Sequence, residues 1–108
     1  IYGDGSQTRS FCYIDDLVEG LFRLSVREGL AGTVVNLGNP EEVSILELAK
    51  RVIELSGSSS KIEFLPPRDD DPPRRCPDIS RAKKLLDWFP QISLEEGLKI
   101  TLRWFVGL

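Results

Sequence analysis

The sequence of 108 residues contains no histidine and only two cysteines. Without histidine the commonest general base and metal ligand is missing, so ligand recognition must use arginine, aspartate, asparagine, aromatic side chains and the backbone. Cys12 and Cys76 lack the Cys-x-x-Cys spacing of a zinc site, and one pair is too few for a disulfide framework. We therefore expect two reduced cysteines with a structural role.

Long apolar runs and an excess of positive charge are also missing. The formal net charge of -3 leaves no basic surplus for a nucleic-acid groove or a polybasic membrane anchor. No stretch approaches the roughly 18 apolar residues of a membrane-spanning helix, and no signal peptide opens the chain. These absences predict a cytoplasmic protein with a small-molecule partner and no nucleic-acid or membrane partner. Because the chain begins with Ile1 in a strand-like segment, we expect it to be cut from a longer protein.

The length, the composition and the residue patterns of the sequence predict one domain, residues 1–108. It is of the α+β class, with short strands and about four helices. The length allows one modest core, and hydrophobic and charged fractions of 41% and 29% are those of a folded domain. The expected strands are 8–13, after a hairpin turn at Asp4-Gly5, then 33–37 and 61–65. The expected helices are 15 to about 27, one opened by the Ser44/Glu47 capping box, 80–88, and one opened by the Ser93/Glu96 capping box. The helical settings assign Trp88, Trp104 and Phe105 to the core.

Two polar clusters lie at the predicted strands. Gln7 and Arg9 accompany the first strand, and the planar guanidinium of arginine suits phosphate oxygens. An arginine on a short strand is, however, more often a surface or salt-bridge residue. Asn36 and Asn39 follow the second strand, the usual place for ligand contacts in α/β proteins, although they could equally form a simple turn before Pro40.

A third polar cluster lies in the proline-rich loop 66–77, where helix is nearly excluded. Arg68, Asp71 and Arg75 could pair with phosphate, ribose hydroxyls or a carboxylate, and the prolines reduce the entropy lost on ordering the loop. The same loop could also be a solvated connection. Asp69-Asp70-Asp71 lacks the alternating ligands and the glycine of a calcium loop, so no metal site is predicted.

Five stretches resemble the extended short-chain dehydrogenases/reductases that act on nucleotide sugars. They are residues 2–17 (Tyr-Gly-Asp-Gly-Ser-Gln-Thr-Arg-Ser-Phe-Cys-Tyr-Ile-Asp-Asp-Leu), 36–40, 70–79, 82–88 and 94–98. The run 70–79 is similar to the UDP-glucuronate decarboxylases in particular. The resemblance covers essentially the whole chain, and it implies the C-terminal, substrate-binding portion of a Rossmann-type enzyme.

The resemblance also implies a set of substrate-binding residues. They are Gln7, Arg9, Asn36, Arg68, Asp71 and Arg75. Arg9 would bind the nucleotide diphosphate. Arg68 and Asp71 would face the phosphate and the ribose, and Arg75 would lie near the carboxylate of the sugar.

Hydride chemistry in this family needs a Gly-rich turn for the NAD pyrophosphate and a Tyr-x-x-x-Lys pair, and this sequence contains neither. NAD would therefore be bound by the parent enzyme and not by this chain, in which no catalytic residue is predicted. The chain would orient a UDP-sugar, with decarboxylation of UDP-glucuronate to UDP-xylose as the implied reaction. Alternatives are the same role in a 4-epimerase or 4,6-dehydratase, or a non-catalytic module that binds nucleotide or self-associates. A chain separated from the cofactor-binding half of its parent should expose apolar surface. We therefore expect a homodimer or strand exchange through the first hairpin.

Overall fold

The computed structural model describes residues 1–107, which form two short strands and four helices. In chain order these are β1 (Thr8–Ser10), α1 (Ile14–Val26), β2 (Glu42–Ser44), α2 (Ile45–Ser56), α3 (Ser80–Leu86) and α4 (Leu94–Gly107). The α+β class and the four helices agree with the sequence-based expectation. No helix in the described part of the chain has the length and apolar character needed to cross a membrane.

Strand β1 lies between β2 and the proline-rich loop 66–77. It runs antiparallel to β2, with Arg9 opposite Val43. On its other side, the backbone N–H of Thr8 donates to the carbonyl of Pro73 at 2.9 Å, and Thr8 forms a parallel bridge with Arg74. The loop is therefore fixed against the sheet, although its prolines exclude regular structure.

The prediction of a hairpin at Asp4-Gly5 is wrong. The chain changes direction there, but the segments before and after the turn do not pair with each other. Asp4 accepts hydrogen bonds from the N–H and hydroxyl of Ser6, and Gly5 has a φ of 80°. The segment before the corner pairs in parallel with the predicted third strand, through a bridge between Tyr2 and Leu65. Strand β2, which the sequence pattern did not predict, takes the place beside β1.

Two predicted strands have little or no ladder pairing. Residues 61–65 contribute only the bridge to Tyr2, and residues 33–37 pair with no strand within residues 1–107. Periodicity predicts an extended backbone but not a partner, and pairing requires one. The β-branched segment 33–37 has no assigned secondary structure in this chain.

The core forms where α3 packs against α1. Its buried residues are Ile79, Ala82, Leu86 and Trp88. Trp88 is 2% exposed, and its indole N–H donates to the carbonyl of Asp16 at 2.9 Å. The assignment of Trp88 to the core is confirmed. The same assignment is wrong for Trp104 and Phe105, which are 62% and 61% exposed near the end of α4.

Both predicted capping residues are confirmed. The hydroxyl of Ser44 accepts from the N–H of Glu47 at 3.1 Å, and that of Ser93 accepts from the N–H of Glu96 at 3.2 Å. Each bond satisfies one of the backbone donors that a helix start leaves unpaired. These caps fix where α2 and α4 begin, and the start of α2 fixes the end of β2.

Candidate functional site

The centre of the candidate site is an ion pair between Arg9 on β1 and Asp71 in the proline-rich loop. The Arg9 and Asp71 side chains are 19% and 30% exposed, so the pair is partly shielded from water. Side chains two residues apart on an extended segment share a face, and Gln7 accordingly reaches the same carboxylate at 3.4 Å. The Gln7 amide also donates to the carbonyl of Tyr2 at 2.9 Å. The strand and the loop thus meet through polar contacts.

A cavity of about 780 Å³ opens on one side of this ion pair. Its lining includes the predicted residues Gln7, Arg68 and Asp71 together with Tyr2 and Phe64. The Arg68 guanidinium lies 4.1 Å from the centre of the Tyr2 ring, a cation–π contact that holds a positive charge at the rim. The cavity therefore combines an aromatic wall with a cation and a carboxylate.

A second cavity, of about 730 Å³, opens on the other side of the ion pair. Arg9, Asn36 and Arg75 line it, and Arg74 adds a third guanidinium. Among the described residues no carboxylate lies within ion-pair distance of Arg75. Arg9 and Arg74 are each ion-paired with a carboxylate, so the positive charge of Arg75 is the one left uncompensated here within residues 1–107, and it favours a ligand with negative charge.

Arg74 is held by a contact that the sequence did not indicate. Its Nε donates to the carboxylate of Glu42 at 2.7 Å, and the hydroxyl of Thr8 donates to the same oxygen at 2.9 Å. The Arg74 hydrogen bond, followed by the Thr8 hydrogen bond, holds the pKa of Glu42 below its ordinary value of 4.5. This contact, which we name the Glu42–Arg74 latch, joins β2 to the proline-rich loop.

The structure places all six predicted site residues on one of two neighbouring cavities that meet at the Arg9–Asp71 pair. It does not bring Asn36 and Arg75 to the cavity of Arg68, so the predicted set divides into two groups. Tyr2 and Glu42 were missed, because a tyrosine and a glutamate in short polar segments carry no individual signal. Tyr2 and Glu42 contact Arg68 and Arg74, which lie in the proline-rich loop and are distant from them in the sequence.

The described residues do not fit a binding site for NAD. A pyrophosphate cradle requires glycines in the turn that opens a helix. Within residues 1–107 the positive-φ glycines lie elsewhere, at Gly3, Gly5, Gly29, Gly32 and Gly57. We also find no group of three or more acidic or cysteine side chains in this range that could hold a metal ion.

Comparison with solved structures defines the class of this fold. An epimerase from Methanothermobacter thermautotrophicus matches 99% of the chain with a TM-score of 0.94 and 39% identity, over 32% of its own chain. The UDP-glucuronic acid 4-epimerase of Bacillus cereus, solved in complex with UDP-glucuronic acid and NAD, matches 99% with a TM-score of 0.90 and 35% identity, over 34% of its chain. The fold is therefore a portion of the Rossmann-like extended short-chain dehydrogenase/reductase fold.

The family follows from the sequence comparison. The family model described as GDP-mannose 4,6 dehydratase matches residues 1–101, and the chain belongs to this family of extended short-chain dehydrogenases/reductases. UDP-glucuronic acid decarboxylase 1 of Danio rerio is 52% identical over 105 residues, which are 97% of this chain and 25% of that protein. The chain thus spans about a quarter of this relative and about a third of the solved structures.

Proposed function

We propose that this chain is the UDP-sugar-binding part of an NAD-dependent enzyme that decarboxylates UDP-glucuronate to UDP-xylose. The observation that carries the proposal is the Arg9–Asp71 pair between two cavities, with Arg68 on one side and Arg75 on the other. A UDP-sugar has a doubly charged diphosphate between two ring systems. It therefore requires a cationic centre with a concave surface on either side.

Arg9 and its neighbours would bind the nucleotide part. The guanidinium has five N–H donors, so Arg9 can bind diphosphate oxygens and keep its contact with Asp71. Asp71 and Gln7 would bind the ribose hydroxyls, and Arg68 would approach the phosphate from the rim of the first cavity. Prior pairing of Arg9 with Asp71 lowers the entropy lost on binding, since the side chain is already ordered.

Arg75 would bind the carboxylate of the sugar in the second cavity. Its guanidinium forms no ion pair within residues 1–107, so its N–H groups can donate to the carboxylate of a ligand. Asn36 lines the same cavity and could bind a sugar hydroxyl. A UDP-sugar with a carboxylate on its sugar ring would thus be preferred over one without it, because only the carboxylate pairs with Arg75.

The cofactor would be held by the rest of a longer chain. NAD, when bound there, supplies a hydride acceptor for the oxidation of the sugar that precedes loss of carbon dioxide. The residues described here would contribute orientation, since holding the diphosphate and carboxylate in fixed positions converts binding energy into reactivity at the ring. We propose no catalytic residue in this chain.

Calorimetric titration with UDP-glucuronate and UDP-glucose tests this assignment. Arg75→Ala should weaken UDP-glucuronate binding by roughly 10- to 150-fold, the equivalent of one charge-assisted hydrogen bond, and leave UDP-glucose binding unchanged. Arg27→Ala, which changes an arginine outside both cavities, is the matched control. Equal binding of the two sugars by the unchanged chain would contradict the role of Arg75.

A second candidate function is that of a nucleotide-sugar 4-epimerase. It is supported by the high TM-scores of the two solved epimerases. An epimerase would use the same contacts to the nucleotide. Release of carbon dioxide from UDP-glucuronate by the whole protein would distinguish decarboxylation from epimerisation.

We further propose a homodimer in the cytoplasm, without a nucleic-acid or membrane partner. Cys12 and Cys76 are free, which fits a reducing compartment. Strand exchange through the first hairpin is not the route, because no such hairpin forms and β1 has neighbours on both sides. Exposed Trp104 and Phe105, which pack edge to face with ring centres 4.9 Å apart, offer an apolar surface for a second copy.

A further inference from the structure

The reach of Arg75 into the second cavity depends on the backbone of the proline-rich loop that carries it. Within residues 1–107 no helix or strand includes Arg75, and no carboxylate lies within ion-pair distance of its guanidinium. Its carbonyl accepts only a long hydrogen bond from the hydroxyl of Ser10, at 3.4 Å. The position of the guanidinium is therefore set by the residues on either side of it.

Glu42 holds the residue immediately before Arg75. In the Glu42–Arg74 latch, the Nε of Arg74 donates to the Oε1 of Glu42 at 2.7 Å, which is a charge-assisted hydrogen bond. The Glu42 side chain is 24% exposed, and it belongs to β2, whose backbone pairs with β1. A carboxylate on a paired strand fixes its partner more firmly than one on a loop, because the ladder fixes its backbone.

The same oxygen of Glu42 also holds the residue immediately before Arg9. The hydroxyl of Thr8 donates to Oε1 at 2.9 Å, and the backbone of Thr8 forms a parallel bridge with Arg74. Because neighbouring Cα atoms are about 3.8 Å apart, a shift of Thr8 or Arg74 moves the adjacent arginine with it. One carboxylate oxygen thus joins the two segments that carry Arg9 and Arg75.

We propose that Glu42 is a positioning residue, which fixes Arg75 relative to Arg9 and so sets the preference for a UDP-sugar with a carboxylate on its ring. This role rests on the proposed function, in which Arg9 binds the diphosphate and Arg75 binds the carboxylate. Both anionic groups belong to one ligand, so the two guanidinium groups must keep the spacing that the ligand imposes. Glu42 does not line the second cavity, and it acts on the ligand only through other residues.

A role of Glu42 through charge alone is the competing explanation, and it predicts effects of opposite sign. Arg74 lines the second cavity, and Glu42 compensates its charge. If only charge mattered, Glu42→Ala would strengthen binding of the carboxylate by freeing a cation, and Arg74→Ala would weaken it by removing one. If Glu42 positions Arg75, both substitutions break the same latch, and both weaken binding of the carboxylate.

Calorimetric titration with UDP-glucuronate and UDP-glucose tests this role in the unaltered chain, Glu42→Ala, Arg74→Ala and the double variant. Each single substitution should lower the preference for UDP-glucuronate roughly fivefold, and the double variant should lower it no further, because the two residues act through one contact. Continued binding of UDP-glucose shows that a variant is folded. Glu41→Ala, which removes the same charge at the neighbouring position outside both cavities, is the matched control and should keep the full preference.

An unchanged preference in Glu42→Ala, or opposite effects of Glu42→Ala and Arg74→Ala, would overturn this role and leave the proposed function standing. Equal binding of the two sugars by the unaltered chain would contradict the proposed function itself, and the role of Glu42 with it. If Glu42→Ala does not fold, Thr8→Val removes one hydrogen bond to Glu42 without a change of charge. This variant should lower the preference about twofold, and an unchanged preference would again overturn the role of Glu42.

Discussion

At the scale of single residues, Asp16 joins the base of α1 to the turn before α4. Its buried Oδ2 accepts from the backbone N–H groups of Gln91 at 3.1 Å and Ile92 at 2.9 Å. Asp16→Ala should destabilise the fold by about 1 to 3 kcal/mol, because two donors lose their acceptor. Urea denaturation measures this change. Asp15→Ala, at the exposed neighbour in the same helical turn, should cost less than about 1 kcal/mol; equal costs would contradict the account.

The Glu42–Arg74 latch predicts a dependence of stability on pH. The folded-state pKa of Glu42 is depressed, chiefly by the Arg74 hydrogen bond, so its contribution is present above the ordinary value of 4.5 and is lost as pH falls through the folded pKa. Urea denaturation between pH 7 and pH 3 should therefore show the difference between the wild type and Glu42→Gln shrinking as the pH falls. Glu41→Gln, whose side chain forms no ion pair within residues 1–107, is the control. A difference that is constant with pH would show that Glu42 is not held by the latch.

At the scale of elements, the corner before β1 depends on Gly5. Its φ is 80°, and an added Cβ would lie 2.8 Å from the Cβ of Leu46. Gly29 has the same φ of 80° with no atom within 4 Å of an added Cβ. Both substitutions to alanine carry the strain of a left-handed backbone, and Gly5→Ala should cost about 1 to 3 kcal/mol more because of the steric clash. Chemical denaturation compares them, and equal losses would mean that the corner tolerates the added methyl group.

The elements also show which features a sequence can predict. Capping by Ser44 and Ser93 was predictable, because each bond joins residues three positions apart. Strand β2 and the bridge between Tyr2 and Leu65 were not, since pairing depends on the path of the intervening chain. For the candidate site, the six residues implied by the resemblance line the two cavities, and their role in binding stays a prediction. The latch was missed because Glu42 and Arg74 are 32 positions apart.

At the scale of the whole molecule, the exposed end of α4 predicts self-association. Light scattering at high concentration should give about twice the chain mass of 12.1 kDa. Phe105→Glu should return the mass to that of one chain, because it places a charge in the apolar surface formed with Trp104. Lys50→Glu, at an exposed position on α2, is the control. A single-chain mass at every concentration would contradict the proposed homodimer.

The two cavities, the Arg9–Asp71 pair between them and the family membership lead to one central claim, that this chain binds the nucleotide part of a UDP-sugar through Arg9. Calorimetric titration of the chain with UDP, repeated with Arg9→Ala and with Arg51→Ala on the outer surface of α2, tests it most directly. UDP should bind to the chain, Arg9→Ala should weaken binding by roughly 10- to 150-fold, and Arg51→Ala should have no effect. Binding that survives Arg9→Ala unchanged, or no binding of UDP by the unaltered chain, would contradict the claim.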